Sequence, residues 1–210
     1  IILNIGPSHL QYFGDEEGVF KEKITLFKRP LALRLYPGDD FRFDYLANEG
    51  ISIGYNENCD YRITRHKCNK DNQSFYLNED LWFLPYGAPH YAINSAFAIV
   101  LGLKLGIDKE KMQTALNKPI QLELRSQVEK RGTGLLILDC YNANPYSMQK
   151  ALEYWQELNP EQPHYAILGD MLELGESSIL YHQMISAMLA EMRYEKLFTV
   201  GNYSRIYHPE

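Results

Sequence analysis

The sequence predicts an α/β protein in two parts: a mixed sheet with a small antiparallel β portion, then an incomplete parallel βαβαβ segment. Three observations lead there. Short aromatic or alternating runs between residues 31 and 84 are separated by Gly, Asn and Asp clusters. A long apolar run, Ala92 to Leu105, follows them with helical length. Beyond Gly134, strand-length and helix-length runs alternate regularly, which implies parallel strands joined by right-handed crossovers. The stretch Pro119–Gly134 is charged, glycine-bounded and aperiodic, so the boundary is set there, giving domains 1–122 and 123–210.

The elements follow in order. Ile1-Ile2-Leu3-Asn4-Ile5-Gly6 reads as an opening strand, and Gly6-Pro7-Ser8-His9 as the loop after it. A helix follows that Asp15 can cap, with Val19, Phe20, Ile24 and Phe27 as its apolar face. Leu31–Leu35, Ile51–Tyr55, Ser74–Leu77 and Leu81–Leu84 are expected as antiparallel strands. The apolar helix ends at Gly106, and Asp108 opens a shorter one. In the second part, strands are expected at Leu135–Leu138, Tyr165–Leu168 and Leu197–Val200, with helices at Pro145–Leu158 and Ile179–Met192. Three such strands make half of a doubly wound domain, and the chain stops just past the third. With an apolar start that lacks an initiator Met, this reads as a piece of something longer.

Composition narrows the function classes. A formal charge of -6 argues against a general nucleic-acid binder, because counterion release needs clustered Lys and Arg. Cys59, Cys68 and Cys140 show no CxxC spacing and are odd in number, as expected of reduced thiols in a cytoplasmic protein. No apolar run is long enough to span a bilayer, so no membrane partner is expected.

The most informative run is Leu138-Asp139-Cys140-Tyr141-Asn142-Ala143-Asn144-Pro145-Tyr146-Ser147-Met148. It is the end of a strand turning into a helix, with Asn144 as N-cap and Pro145 as first helical residue. One reading is a well-capped crossover, which leaves Asp139 and Asn142 unexplained. The other is a ligand site, since α/β sheets bind ligands at this edge.

This run resembles the DDSYNANPDSM signature of the UDP-N-acetylmuramoyl-tripeptide–D-alanyl-D-alanine ligases, a branch of the Mur ligase family. Two further runs resemble the same family in the same order. One is Ile167-Leu168-Gly169-Asp170-Met171-Leu172-Glu173-Leu174-Gly175-Glu176, with His182 downstream. The other is Asn4-Ile5-Gly6-Pro7-Ser8-His9-Leu10, ahead of Phe13-Gly14 and Lys21-Glu22-Lys23. The resemblance implies a central ATP-binding domain over 1–122 and a Rossmann-like C-terminal domain over 123–210. It further implies ATP-dependent amide formation through an acyl phosphate in peptidoglycan synthesis, joining D-alanyl-D-alanine to a UDP-N-acetylmuramoyl tripeptide.

ATP and a carboxylate repel each other, so such a reaction needs a hard cation such as Mg²⁺ and fixed donors. By resemblance His9 helps hold magnesium, and Lys23 is the lysine that carbon dioxide converts to a carbamate, a further metal-side ligand. Carbamylation requires a neutral amine, hence a depressed lysine pKa. Lys21 fits the family spacing less well. The ATP contacts implied are His90 and Asn94, with Tyr91 departing from the family's usual Asn, then Arg125 for phosphate and Asp139 for ribose. Asn142, Asn144 and His182 are implied to face the incoming dipeptide or acyl intermediate.

No GxxxxGK[ST] loop occurs in the sequence, so the isolated chain is expected to be inactive, lacking the family's phosphate loop, upstream glutamate and uridine-binding domain. A monomer is expected. Two other readings stay open: a sister amide ligase of the Mur or folylpolyglutamate type, and a non-catalytic relic that binds nucleotide or a partner protein.

Overall fold

A computed structural model describes residues 1–210 except 70, 71, 86, 119–122, 159, 160, 209 and 210, and describes Ser204 through its backbone alone. Part of the expected boundary segment, 119–122, therefore lies outside the described residues. In chain order the elements are α1 (Leu10–Phe13), α2 (Glu16–Ile24), β1 (Leu35–Pro37), β2 (Ile51–Gly54), β3 (Tyr61–Cys68), β4 (Gln73–Leu77) and β5 (Asp80–Leu84), then α3 (His90–Lys104) and α4 (Lys109–Leu116). There follow β6 (Gln127–Arg131), β7 (Gly134–Leu138), α5 (Pro145–Glu157), β8 (Tyr165–Gly169), α6 (Ser178–Ala190) and β9 (Lys196–Val200).

The chain divides into two compact units. The first comprises Ile1–Ile5 and Lys23–Ile120, the second Gly6–Glu22 and Gln121–Glu210. The change near residue 120 falls close to the expected boundary, but residues 6–22, expected in the first domain, cluster with the second unit.

The first unit is built on a five-stranded mixed sheet in the order β1-β2-β3-β4-β5. β1–β2 and β2–β3 are parallel, while β3–β4 and β4–β5 are antiparallel. The expected mixed sheet is present, while the antiparallel reading of the individual runs over 31–84 is corrected for its first half. Residues 38–50 connect β1 to β2 and residues 55–60 connect β2 to β3, whereas β4 and β5 are joined by a tight turn. Period-two alternation sends Gln73, Phe75 and Leu77 inward from β4, and Trp82 and Leu84 inward from β5. Phe75, Leu77, Trp82 and Leu84 meet Ala92, Ala96, Phe97, Ile99 and Val100 of α3 in one buried core that Met112 of α4 closes. Gly102 has no side chain to hold Met112 away, since a Cβ there would overlap its sulfur. Asp108 caps α4 by accepting from the Glu110 and Lys111 amides.

Two strand expectations fail here. Ile1–Gly6 forms no strand, although Ile2 N–H donates to Leu35 C=O at 3.0 Å. β1 begins where the expected Leu31–Leu35 strand ends. β3 was not expected, because its polar outer face and a register shift between Thr64 and Lys67, with Arg65 at φ 49°, blur the alternation.

In the second unit the α/β character holds, but the three expected strands do not form one parallel sheet. β8 and β9 pair in parallel across the α6 crossover, whereas β7 pairs antiparallel with β6. The cause is local: Arg131-Gly132-Thr133-Gly134 makes a tight turn, with Gly132 at φ 60°, that returns the chain directly on itself. The β6 half of this hairpin lay inside the segment read as aperiodic.

Candidate functional site

The β6–β7 register sets Gln127 opposite Leu138, so the residues just outside the hairpin, Leu124–Ser126 and Asp139–Tyr141, face each other. Ser126 N–H donates to Asp139 Oδ1 at 2.9 Å, and Tyr141 N–H donates to Leu124 C=O at 3.1 Å. Arg125 lies over the Tyr141 ring, its guanidinium carbon 4.2 Å from the centroid. Leu124 and Ser126, on either side of Arg125, both take left-handed backbone, at φ 59° and 46°. Two residues singled out for ATP, Arg125 and Asp139, are therefore brought together at one strand end. Tyr141, 65% exposed, joins them unannounced, although it lies inside the signature run. Asn142 is exposed beside it.

Asn144 closes the turn as a cap. Its Oδ1 accepts from Ser147 N–H at 2.9 Å, and its own N–H donates to Ser147 Oγ at 3.1 Å, a complete capping box. Next to this helix start, Pro145, Tyr146, Pro7 and Tyr181 border a cavity of about 530 Å³.

His9 occupies the N-cap position of α1 in a left-handed conformation, φ 58°, and its Nδ1 meets Glu173 Oε2 in a short contact. Gln11 N–H donates to Glu173 C=O at 2.9 Å, fastening the same loop through the backbone. Sequence reasoning did not single out Glu173; its signal was membership in the Gly169–Glu176 run.

His182 is fully buried in α6. Its Nε2 accepts from Met171 N–H at 3.1 Å, its Nδ1 donates to Ser178 C=O at 2.6 Å, and its ring stacks on Tyr203. Both nitrogens are engaged by the protein, so here His182 braces the 171–178 loop instead of presenting a donor to a dipeptide. Tyr207, also fully buried, donates to Gly169 C=O at 3.0 Å. Burial, with Asp170 nearby, pushes its hydroxyl pKa far up.

In the first unit, Lys23 is partly buried and its Nζ donates to Asn4 C=O at 3.0 Å. Burial, and secondarily the Arg42 guanidinium, lower its pKa from 10.5. His90 and Asn94 stand one turn apart at the start of α3, and the His90 ring lies 4.4 Å from that of Tyr91. Burial and Asp39 raise the Cys59 thiol to about 11.

The donor sets differ in what they fit. An aromatic face, a guanidinium and a carboxylate with one oxygen already anchored suit a nucleotide. Magnesium is another matter: among the described residues no group of three or more His, Cys, Asp or Glu converges on one point. His9 and Lys23, the pair implied to hold magnesium, fall in different units, so neither unit contains both.

Residues 124–210 match the family model described as Mur ligase, glutamate ligase domain. The UDP-N-acetylmuramoyl-tripeptide–D-alanyl-D-alanine ligase of Bacillus subtilis (strain 168) is 28% identical over 207 residues, covering 96% of this chain and 45% of that protein. The like-named ligase of Buchnera aphidicola subsp. Acyrthosiphon pisum (strain APS) is 30% identical over 222 residues, covering 97% of this chain and 48% of that protein. A crystal structure of MurF from Acinetobacter baumannii superposes with a TM-score of 0.88 at 25% identity, covering 98% of this chain and 47% of that one.

Residues 124–210 form a Mur ligase domain, and the whole chain is similar to Mur ligases. It spans about half the length of the curated relatives it matches. The match to the Mur ligase domain begins at Leu124, so the Arg125–Asp139–Tyr141 cluster opens that domain. Among the described residues no helix is long and apolar enough to cross a membrane.

Proposed function

We propose that this Mur ligase chain serves ATP-dependent amide formation, adding D-alanyl-D-alanine to a UDP-N-acetylmuramoyl tripeptide. The observation that carries the reading is the cluster of Arg125 over Tyr141 beside Asp139, at the start of the matched domain. The names of the Bacillus subtilis and Buchnera aphidicola relatives support the substrates.

The reaction has two balanced steps. The tripeptide carboxylate attacks the γ-phosphorus of ATP, forming an acyl phosphate as ADP leaves. The dipeptide amine then attacks the acyl carbon, forming the amide as inorganic phosphate leaves and the amine loses its proton. Arg125 screens phosphate charge with its forked donors. Tyr141 offers a face to the nucleotide, and the second carboxylate oxygen of Asp139 accepts from a ribose hydroxyl. His90 and Asn94 are proposed adenine contacts. Asn142 faces the acyl intermediate, while Asn144 shapes the turn that carries it.

Lys23 is proposed to be carbamylated. Its lowered pKa raises the fraction of neutral amine able to attack carbon dioxide, forming the C–N bond and releasing a proton. Magnesium enters the proposal as the ion accompanying ATP. Because ATP and the UDP-linked tripeptide are charged, the enzyme is proposed to act in the cytoplasm; it is also proposed to be a monomer.

The test is phosphate release by the full-length protein with ATP and UDP-N-acetylmuramoyl tripeptide. Release that depends on added D-alanyl-D-alanine is expected. Release that ignores the dipeptide but responds to an amino acid such as glutamate would transfer the chain to a sister ligase.

A further inference from the structure

The signature run Gly169–Glu176 contains a carboxylate that the reaction above does not use. Glu173 is held at φ 61°, in left-handed backbone, as is His9 at φ 58°. Each turn thus projects its side chain from an unusual backbone conformation, and the two side chains meet at His9 Nδ1 and Glu173 Oε2. The backbones are fastened independently, by Gln11 N–H to Glu173 C=O at 2.9 Å. Gly175 also lies against Gln11, where a Cβ would be 3.2 Å from its Cα. Docking of residues 9–11 on the 173–175 turn therefore does not depend on the Glu173 carboxylate. That leaves the carboxylate a separate task.

We propose that Glu173 is a positioning residue for His9. A carboxylate accepts but does not donate, so it selects the tautomer whose hydrogen sits on Nδ1 and fixes the plane of the ring. Nε2 has no hydrogen-bond partner among the described residues, and the His9 side chain is 54% exposed. Its lone pair then faces outward, open to a proton donor of a substrate. A carboxylate behind a ligating imidazole holds it in this way. The inference rests on the proposed reading of His9 as a site residue, but its test does not require turnover.

The experiment is long-range ¹H–¹⁵N correlation NMR of the histidine rings at one fixed pH, in wild type, Glu173→Ala and Glu173→Gln. Assignment comes from loss of the His9 signals in His9→Gln. Wild type is expected to show His9 as a single tautomer protonated on Nδ1. Glu173→Ala is expected to move its two nitrogen shifts toward the averaged values of a free imidazole. Glu173→Gln, which keeps an acceptor oxygen, should restore most of the wild-type pattern. The buried His182 ring is the internal control, and its shifts should stay fixed in all three. Unchanged His9 shifts in Glu173→Ala, with His182 also unchanged, would overturn the proposal. So would an Nε2-protonated His9 in wild type. Loss of ligase activity with normal His9 shifts would strike at the proposed function and leave this inference standing.

Discussion

Arg125 and Tyr141 are sixteen residues apart in sequence, yet the guanidinium carbon of one lies 4.2 Å from the ring centroid of the other. The β6–β7 hairpin and the Ser126–Asp139 hydrogen bond create that approach. A cation over an exposed ring contributes about 0.5–1 kcal/mol. Tyr141→Ala and Arg125→Ala should each weaken ATP binding. A double-mutant cycle read by nucleotide titration should give a coupling of roughly two- to five-fold. Strictly additive losses would mean the pair does not act together on the nucleotide.

Lys23 gives a pH dependence with a definite sign. Its folded pKa lies below 10.5, so folding disfavours the charged amine. Below the folded pKa that cost is constant. Between the folded pKa and 10.5 the unfolded chain binds more protons, so stability rises with pH; above 10.5 the contribution is gone. Denaturation curves of wild type minus Lys23→Met should show this rise, and a flat difference would argue against the depressed amine. In the full-length enzyme, Lys23→Ala should lose turnover far more than thermal stability. A short carboxylic acid should restore part of it.

His182 accepts the Met171 amide deep in the second unit. His182→Leu keeps the bulk but leaves that N–H buried without a partner, a loss of about 1–3 kcal/mol. Tyr207→Phe removes the bond to Gly169 C=O and should cost about 0.5–1.5 kcal/mol. Urea denaturation measures both. A neutral His182→Leu with reduced dipeptide binding would return this residue to the substrate role implied by its position in the sequence.

Asn144 separates scaffold from chemistry. Asn144→Ala removes the cap and should cost about 0.5–2 kcal/mol, whereas Asn144→Ser retains a capping oxygen. If capping is its whole contribution, Ser restores stability and turnover together. Turnover that stays low at restored stability assigns Asn144 a contact with the reacting groups.

Much of this architecture was legible in the chain because its signals are local. Asp108 and Asn144 announce helix starts by their own hydrogen bonds, and the apolar run of α3 can only be a buried helix. Strand partnership is not local. Leu135–Leu138 reads equally well as a parallel or an antiparallel strand, and the deciding feature is the Gly132–Thr133 turn beside it. The opening run Ile1–Gly6 has strand composition but lacks a ladder partner beyond one bond to Leu35. Among site residues, Arg125 and Asp139 meet because a hairpin joins them. Glu173 stayed unseen because its partner, His9, is 164 positions away. His182 was misleading: a histidine at family spacing looks the same in sequence whether it faces a ligand or, as here, spends both nitrogens on the backbone.

Leu124 and Ser126 hold Arg125 between two left-handed residues that are not glycine. Such conformations disfavour a side chain by roughly 1–2 kcal/mol each. Evolution toward heat resistance would meet these positions early, since Leu124→Gly relaxes the backbone and sacrifices little burial. The same relaxation would let the arginine wander from its aromatic perch. Robustness and catalytic competence therefore pull in opposite directions at this loop, and a library selected for thermal survival alone should accumulate sturdy proteins with slackened grip on nucleotide.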